Sequence, residues 1–203
     1  MILYTNGCSH THGYACVNPW QTWPNMVIKS FDLDSNFIFF HKENDVKFNF
    51  DKKFLIGDSI LLNEAQSGAG NDYIFHHTIE SVSKLIDYNK KPDLVIIQWS
   101  GTNRRLHSSL YGEEVYVNTT DYTDLGIKYE PMGTTHTCHY TYTLQEFFKK
   151  NNIKYIFFNY MAWDKSVLNS YTFSKIDFNN WVDFDRGEKD RKSTRLNSSH
   201  TDI

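Results

Sequence analysis

Ser9 sits in the polar stretch Asn6-Gly7-Cys8-Ser9-His10-Thr11, which follows directly on a short apolar run from Ile2 to Thr5. A hydroxyl just past a strand, at a turn signalled by Asn6-Gly7, has the type and setting of a nucleophile. Two further polar loops interrupt apolar runs in the same way. One spans Asn63 to Asn71 and contains Gly68; the other, Ser100-Gly101-Thr102-Asn103, closes the run from Asp93 to Trp99. A backbone N–H at Gly68 and a side-chain amide at Asn103 are both hydrogen-bond donors suited to a developing oxyanion. A lone serine after a turn is most often a helix N-cap or turn residue. What favours chemistry is the recurrence of the pattern in three loops that could converge on one point.

Convergence requires a particular architecture. In open parallel sheets, ligands bind beyond the carboxyl ends of the strands, so each polar loop must leave a strand at that end. The apolar runs 2–5, 60–62, 93–99 and 153–159 read as buried strands, the third being the most continuous β-branched run in the chain. Between them, Trp20, Trp23, Met26, Val27 and Phe31 recur at helical spacing from Pro19 onward. Ile74, Ile79, Val82, Leu85 and Ile86 favour one face of a helix reaching about Tyr88. A further helix is expected over 139–151, ending in Lys149-Lys150, and a small hairpin over 37–50. Residues 104–135 are polar, rich in Tyr and Thr and without steady period, which suggests a surface excursion that lines a substrate groove. Alternating strands and helices predict an α/β fold, a three-layer α/β/α sandwich around a central parallel sheet of flavodoxin-like type.

On these residues the chain resembles the SGNH or GDSL-like hydrolases. Gly7-Cys8-Ser9 matches the first family block, Asn63-x-Ala65-x-x-Gly68 the second, and Gly101-Thr102-Asn103 the third. The resemblance implies a serine hydrolase, an esterase or acylhydrolase acting on an acylated carbohydrate or lipid through an acyl-enzyme on Ser9. Gly68 and Asn103 would be the oxyanion donors, and no cofactor is implied. The sequence departs from the family pattern at Cys8, where Asp is usual, and at Arg104, where Asp commonly follows the Asn. The family's late Asp-x-x-His, which supplies the general base and its carboxylate, does not occur before Lys189. Gly57-Asp58-Ser59 spells the family's first block literally, but it stands nine residues before Gly68 and leaves no room for a crossover helix. It reads instead as a turn leading into the strand at Ile60.

The tail from Asp190 through Arg195-Leu196-Asn197-Ser198-Ser199-His200 to Ile203 resembles the translation of a common sequencing adapter. Residues 1–189 are then the authentic domain, and the last catalytic block and final helix are expected to be missing, so that the chain as written would be inactive. The alternative is a non-catalytic carbohydrate-binding or scaffold protein on the same fold, using Tyr and Trp as a stacking platform.

Composition narrows the remaining classes. Of 203 residues, 40% are hydrophobic and 22% charged, the balance of a globular domain rather than a disordered chain. Lys and Arg number 21 against 24 Asp and Glu, a net charge of −3 that gives no footprint for nucleic acid. No apolar run is long enough for a membrane span, and the start lacks the features of a signal peptide. Cys8, Cys16 and Cys138 form no Cys-x-x-Cys pair and are expected to be small buried residues in a reducing, cytoplasmic setting. His10-x-His12 and His136-x-Cys138-His139 lack the i, i+4 spacing of a helical metal site, so no metal is expected. Gly68-Ala69-Gly70-Asn71 lacks the lysine of a P-loop.

Overall fold

A computed structural model describes residues 1–13, 16, 21–31, 60–102, 104–108, 114–118, 130–160 and 168–182. In chain order the elements are strand β1 (Ile2–Asn6), the single helical turn α1 (Ser9–His12), helix α2 (Trp23–Ser30), β2 (Ile60–Asn63), α3 (Asn71–Asp87) and β3 (Leu94–Trp99). They continue with β4 (Arg104–Ser108), β5 (Glu114–Asn118), α4 (Glu130–Lys150), β6 (Lys154–Asn159), the short helix α5 (Tyr171–Ser174), a 3-10 turn at Phe178–Asn180, and β7 (Trp181–Val182).

Five strands pair in the order β2-β1-β3-β6-β7, and every pair is parallel. The register sets Tyr4 between Leu62 and Val95, and Trp99 beside Asn159. Side chains alternate across a pleated sheet, so each strand feeds two cores. One face presents Tyr4, Leu62, Val95, Ile97, Trp99, Tyr155 and Phe157 to Tyr73, Ile74, Val82 and Leu85 of α3 and to Leu144 and Phe148 of α4. The opposite face presents Leu3, Leu61, Ile96 and Phe158 to Ile28 of α2. The result is an α/β three-layer sandwich around a parallel sheet. Burial on both faces is why the strands read as near-continuous apolar runs rather than alternating ones.

Several boundaries differ from expectation, each for a local reason. Helix α2 starts at Trp23 rather than Pro19, with Pro24 in its first turn, where a missing N–H costs no helical bond. Helix α4 begins at Glu130, nine residues before the apolar period does. The added turns are rich in threonine, a poor helix former. Thr137 and Thr141 donate their hydroxyls to the carbonyls four residues back, at 2.9 and 2.8 Å, and are buried there. Within 104–135 the described residues are regular rather than irregular. They include an antiparallel ribbon in which β4 pairs with β5 from Arg104↔Asn118 to Ser108↔Glu114. Pairing between strands is a non-local property that no single-strand window reports. Past β6, α5, the 3-10 turn and β7 add elements that periodicity had not indicated. The expected hairpin over 37–50, Gly57-Asp58-Ser59, and the tail 190–203 with the missing block and helix expected there lie outside the described residues.

Helix α4 approaches the end of β3 so closely that a Cβ added at Gly133 would overlap the Thr102 carbonyl. The collision is with backbone, which cannot rotate aside. Gly133→Ala is therefore expected to destabilise the fold by about 1–3 kcal/mol, read as a lowered midpoint in urea unfolding.

Candidate active site

The chain leaves β1 toward β2 and leaves β3 toward β6, in opposite directions across the sheet. A crevice opens beyond the carboxyl ends of adjacent strands that diverge in this way. All three polar loops emerge at that end, since each directly follows β1, β2 or β3.

The loop after β1 becomes the turn α1. Its N-cap position is held by Cys8, which makes no side-chain cap bond, so Ser9 is the first helical residue and not the cap. The turn closes through His12 N–H to Cys8 O and Gly13 N–H to Ser9 O, both 2.9 Å, and stops at Gly13 in the left-handed conformation. Ser9 is half-buried, and its hydroxyl has no hydrogen-bond partner among the described residues. Beneath it, Gln98 of β3 anchors the turn. Its Oε1 accepts a short hydrogen bond from the Thr11 hydroxyl and lies 3.8 Å from Cys8 Sγ, while Trp23 Nε1–H donates to Thr11 Oγ1 at 3.2 Å. Gly7 is required by this packing, because a Cβ there would overlap the Thr11 side chain and press on that of Gln98.

The loop after β2 is laced to the first. Gln66 N–H donates to Gly7 O at 3.2 Å, Asn63 Nδ2 to Thr11 O at 3.1 Å, and Glu64 N–H to Thr5 O at 3.0 Å. Gly68 then occupies the third position of a turn closed by Ala69 N–H to Gln66 O at 3.1 Å. Its φ of 81° is the value that favours glycine at this position of a type II turn. Its own N–H meets no acceptor among the described residues.

The loop after β3 is held by Asn71 at the start of α3. Asn71 Oδ1 accepts from Ser100 N–H at 2.7 Å, and its Nδ2 donates to Ser100 O at 3.2 Å and to Thr137 Oγ1 at 2.9 Å. Arg104 N–H donates to Gly101 O at 3.1 Å, and its Nη1 reaches Ser100 Oγ at 3.4 Å. Asn103 lies outside the described residues; Thr102 and Arg104 on either side of it stand past the end of β3. The structure therefore brings the Ser9 and Gly68 loops into direct contact, and sets the chain on both sides of Asn103 at the same edge.

Sequence reasoning passed over the residues that do the fastening. Gln98 and Asn71 are both buried, and their signal is a polar side chain inside an apolar strand or at a helix start. A deeper polar group was also missed. Tyr4 OH donates to Glu64 Oε2 at 2.7 Å, Ser81 Oγ donates to Glu64 Oε1 at 2.7 Å, and Asn6 Nδ2 reaches Tyr4 OH at 3.3 Å and Thr78 Oγ1 at 3.1 Å. Burial and the adjacent Glu64 charge push the Tyr4 phenol well above its ordinary pKa, so it remains a donor.

Among the described residues no group of three or more His, Cys, Asp or Glu is placed to hold a metal ion. His10 is exposed and stacks on Tyr160, with centroids 4.2 Å apart and planes 25° apart. His136, Cys138 and His139 all lie on α4, with Cys138 buried and His139 exposed. All three cysteines are free, with Cys8 and Cys138 buried as expected. Cys16 is exposed, contrary to expectation; its N–H is bonded to Gly13 O at 2.9 Å. No described helix is long and apolar enough to cross a membrane. The chain matches no protein-family model and no curated protein.

Asn71 makes three bonds from one side chain in a buried setting. Asn71→Ala strands the Ser100 N–H and is expected to cost about 3 kcal/mol, measured as a lower denaturant midpoint at constant m.

Proposed function

We propose that this chain carries the site of an SGNH-type serine hydrolase that cleaves an ester, with Ser9 as nucleophile. The observation that carries the reading is the joining of the Ser9 and Gly68 loops by the Gln66-to-Gly7 bond, with the Ser9 hydroxyl and the Gly68 N–H both left without partners among the described residues. A half-buried hydroxyl and amide left open at one strand end are available to a bound substrate.

In this mechanism Ser9 Oγ attacks the acyl carbonyl carbon while a general base takes its proton. The carbonyl oxygen becomes an oxyanion, stabilised by Gly68 N–H and the Asn103 side-chain amide. Collapse expels the alcohol, which receives the proton from the base, and leaves the acyl group on Ser9. Water, deprotonated by the same base, then releases the acid and restores the serine. The family resemblance assigns the base to a late Asp-x-x-His, which residues 1–189 lack. An acylated carbohydrate or lipid is the substrate class, and a cytoplasmic setting accords with three free cysteines.

A second reading is a carbohydrate-binding protein on the same fold. It is favoured by the buried Cys8 beside Ser9 and by the exposed His10–Tyr160 stack, since Tyr160 retains 42% exposure. Fluorophosphonate labelling separates the two, because only an activated serine reacts.

The decisive test uses the full-length protein. Ser9→Ala should abolish hydrolysis of acetylated sugars and short-chain acyl esters while leaving the unfolding midpoint unchanged; undiminished turnover would sink the assignment. Asn103→Ala should weaken transition-state stabilisation by about 2.7–4 kcal/mol, appearing in kcat with little change in KM.

A further inference from the structure

Glu64 directly follows β2 and is 7% exposed. Burying a carboxylate is costly unless hydrogen bonds compensate it, so its position calls for a reason. Both of its oxygens accept from hydroxyls, Oε2 from Tyr4 and Oε1 from Ser81, each at 2.7 Å. Bonds this short to a carboxylate belong to the stronger class.

The chain of contacts continues in one direction. Tyr4 OH accepts from Asn6 Nδ2 at 3.3 Å, and Asn6 Nδ2 also reaches Ile74 O at 3.3 Å and Thr78 Oγ1 at 3.1 Å. With its amide nitrogen fixed in this way, Asn6 turns Oδ1 to the backbone, where Gly7 N–H donates to it at 2.8 Å. Gly7 is the residue that must fit against Thr11 and Gln98 for the Ser9 turn to form. Tyr4 and Asn6 lie two apart on β1 and so share its α3-facing side, while Ile74, Thr78 and Ser81 are spaced four and three along α3, the spacing of one helix face. The network is thus a polar seam running from the end of β2, through the core, to the peptide that leads into Ser9.

We propose that Glu64 is a positioning residue for the nucleophile, acting through Tyr4 and Asn6 to fix the Gly7 peptide and hence the Ser9 turn. This goes beyond the hydrolase reading but rests on it for its catalytic meaning. The carboxylate suits the role because it only accepts, so both hydroxyls must point at it. A glutamine offers an NH₂ in place of one oxygen, so one of the two hydroxyls has to accept from it instead of donating.

The test measures two quantities on the same natural full-length protein. The first is residue-resolved amide hydrogen exchange at Gly7, which reports the turn without requiring any chemistry. The second is the rate of Ser9 labelling by a fluorophosphonate, resolved into a binding constant and a maximal rate. In Glu64→Gln and in Tyr4→Phe, Gly7 exchange should quicken by about tenfold or more, as expected for loss of a hydrogen bond to a charged group. The maximal labelling rate should fall by about tenfold or more with the binding constant held, since misplacement of a reacting group acts on the chemical step. Tyr4→Phe keeps the ring in place, which covers the case in which Glu64→Gln fails to fold. Thr5→Val is the comparison: Thr5 is fully buried on the same strand, but its side chain bonds only Leu62 O, at 3.5 Å. It should leave both quantities as in the wild type.

Unchanged Gly7 exchange in both network variants, or an equal increase in Thr5→Val, overturns the positioning role even if wild-type Ser9 labels well. Faster exchange with an unchanged labelling rate also overturns it, because the seam would then be structural only. Absence of labelling at wild-type Ser9 overturns the hydrolase reading, and the catalytic role of Glu64 falls with it.

Discussion

A parallel sheet covered on both faces has almost nowhere to put polar chemistry except the ends of its strands, and the remaining features of this protein follow from that constraint. Leu3, Leu61 and Ile96 pack against α2, and Tyr4, Val95 and Phe157 against α3 and α4, so the interior of each strand is committed to the core. Side chains that leave the sheet at its carboxyl end escape that commitment. The order β2-β1-β3 then sets the first and third strand ends side by side, with the second adjoining. Topology, and not local sequence, makes neighbours of loops that are dozens of residues apart.

Loops emerging at a sheet end still carry backbone groups that must be satisfied. Here buried amide side chains satisfy them: Asn71 on both backbone groups of Ser100, Asn63 on Thr11 O and Ala65 N–H, and Asn6 on Gly7 N–H. Asparagine can donate and accept at once, so one side chain fixes two strands of chain relative to each other. Gln98 does the same work from below by accepting from Thr11. The Ser9 hydroxyl and the Gly68 N–H are left open among the described residues, as are the buried Trp99 Nε1, Tyr155 OH and Asn159 Oδ1 elsewhere in the sheet. What distinguishes the strand-end loops is their fastening, because a rigid surround is what holds an unengaged hydroxyl in a fixed place.

Close backbone approach is the second cost of bringing the loops together. Gly7, Gly70 and Gly133 each stand where a Cβ would run into another segment: the Thr11 side chain, the Arg104 backbone and the Thr102 backbone. Gly68 is required for a different reason, its left-handed φ. Helix α4 shows the same preference for contact over propensity. Its threonine-rich first turns are helical although threonine is a poor helix former, and Thr134 and Thr137 are buried there against the rest of the fold.

The sequence by itself determined the periodic elements. Strands β1, β2, β3 and β6 and helix α3 were legible from apolar runs and helical spacing, and with them the α/β class, because hydrophobic burial imposes its period on the residues that it buries. Gly68 was legible as a loop residue after a strand and Ser9 as a residue just past one, though not as the start of a helical turn; the chain on both sides of Asn103 was legible too. The ribbon of β4 and β5, the early start of α4, and β7 as an edge strand of two residues were not, since each depends on partners distant in the chain. Nor were Glu64, Tyr4 and Asn6 legible as one network. A glutamate after a strand reads as exposed until the fold sets a tyrosine and a serine hydroxyl against it. Burial preferences are local and leave a mark on sequence, whereas hydrogen-bond partners come from remote segments and exist only once tertiary structure has brought them together.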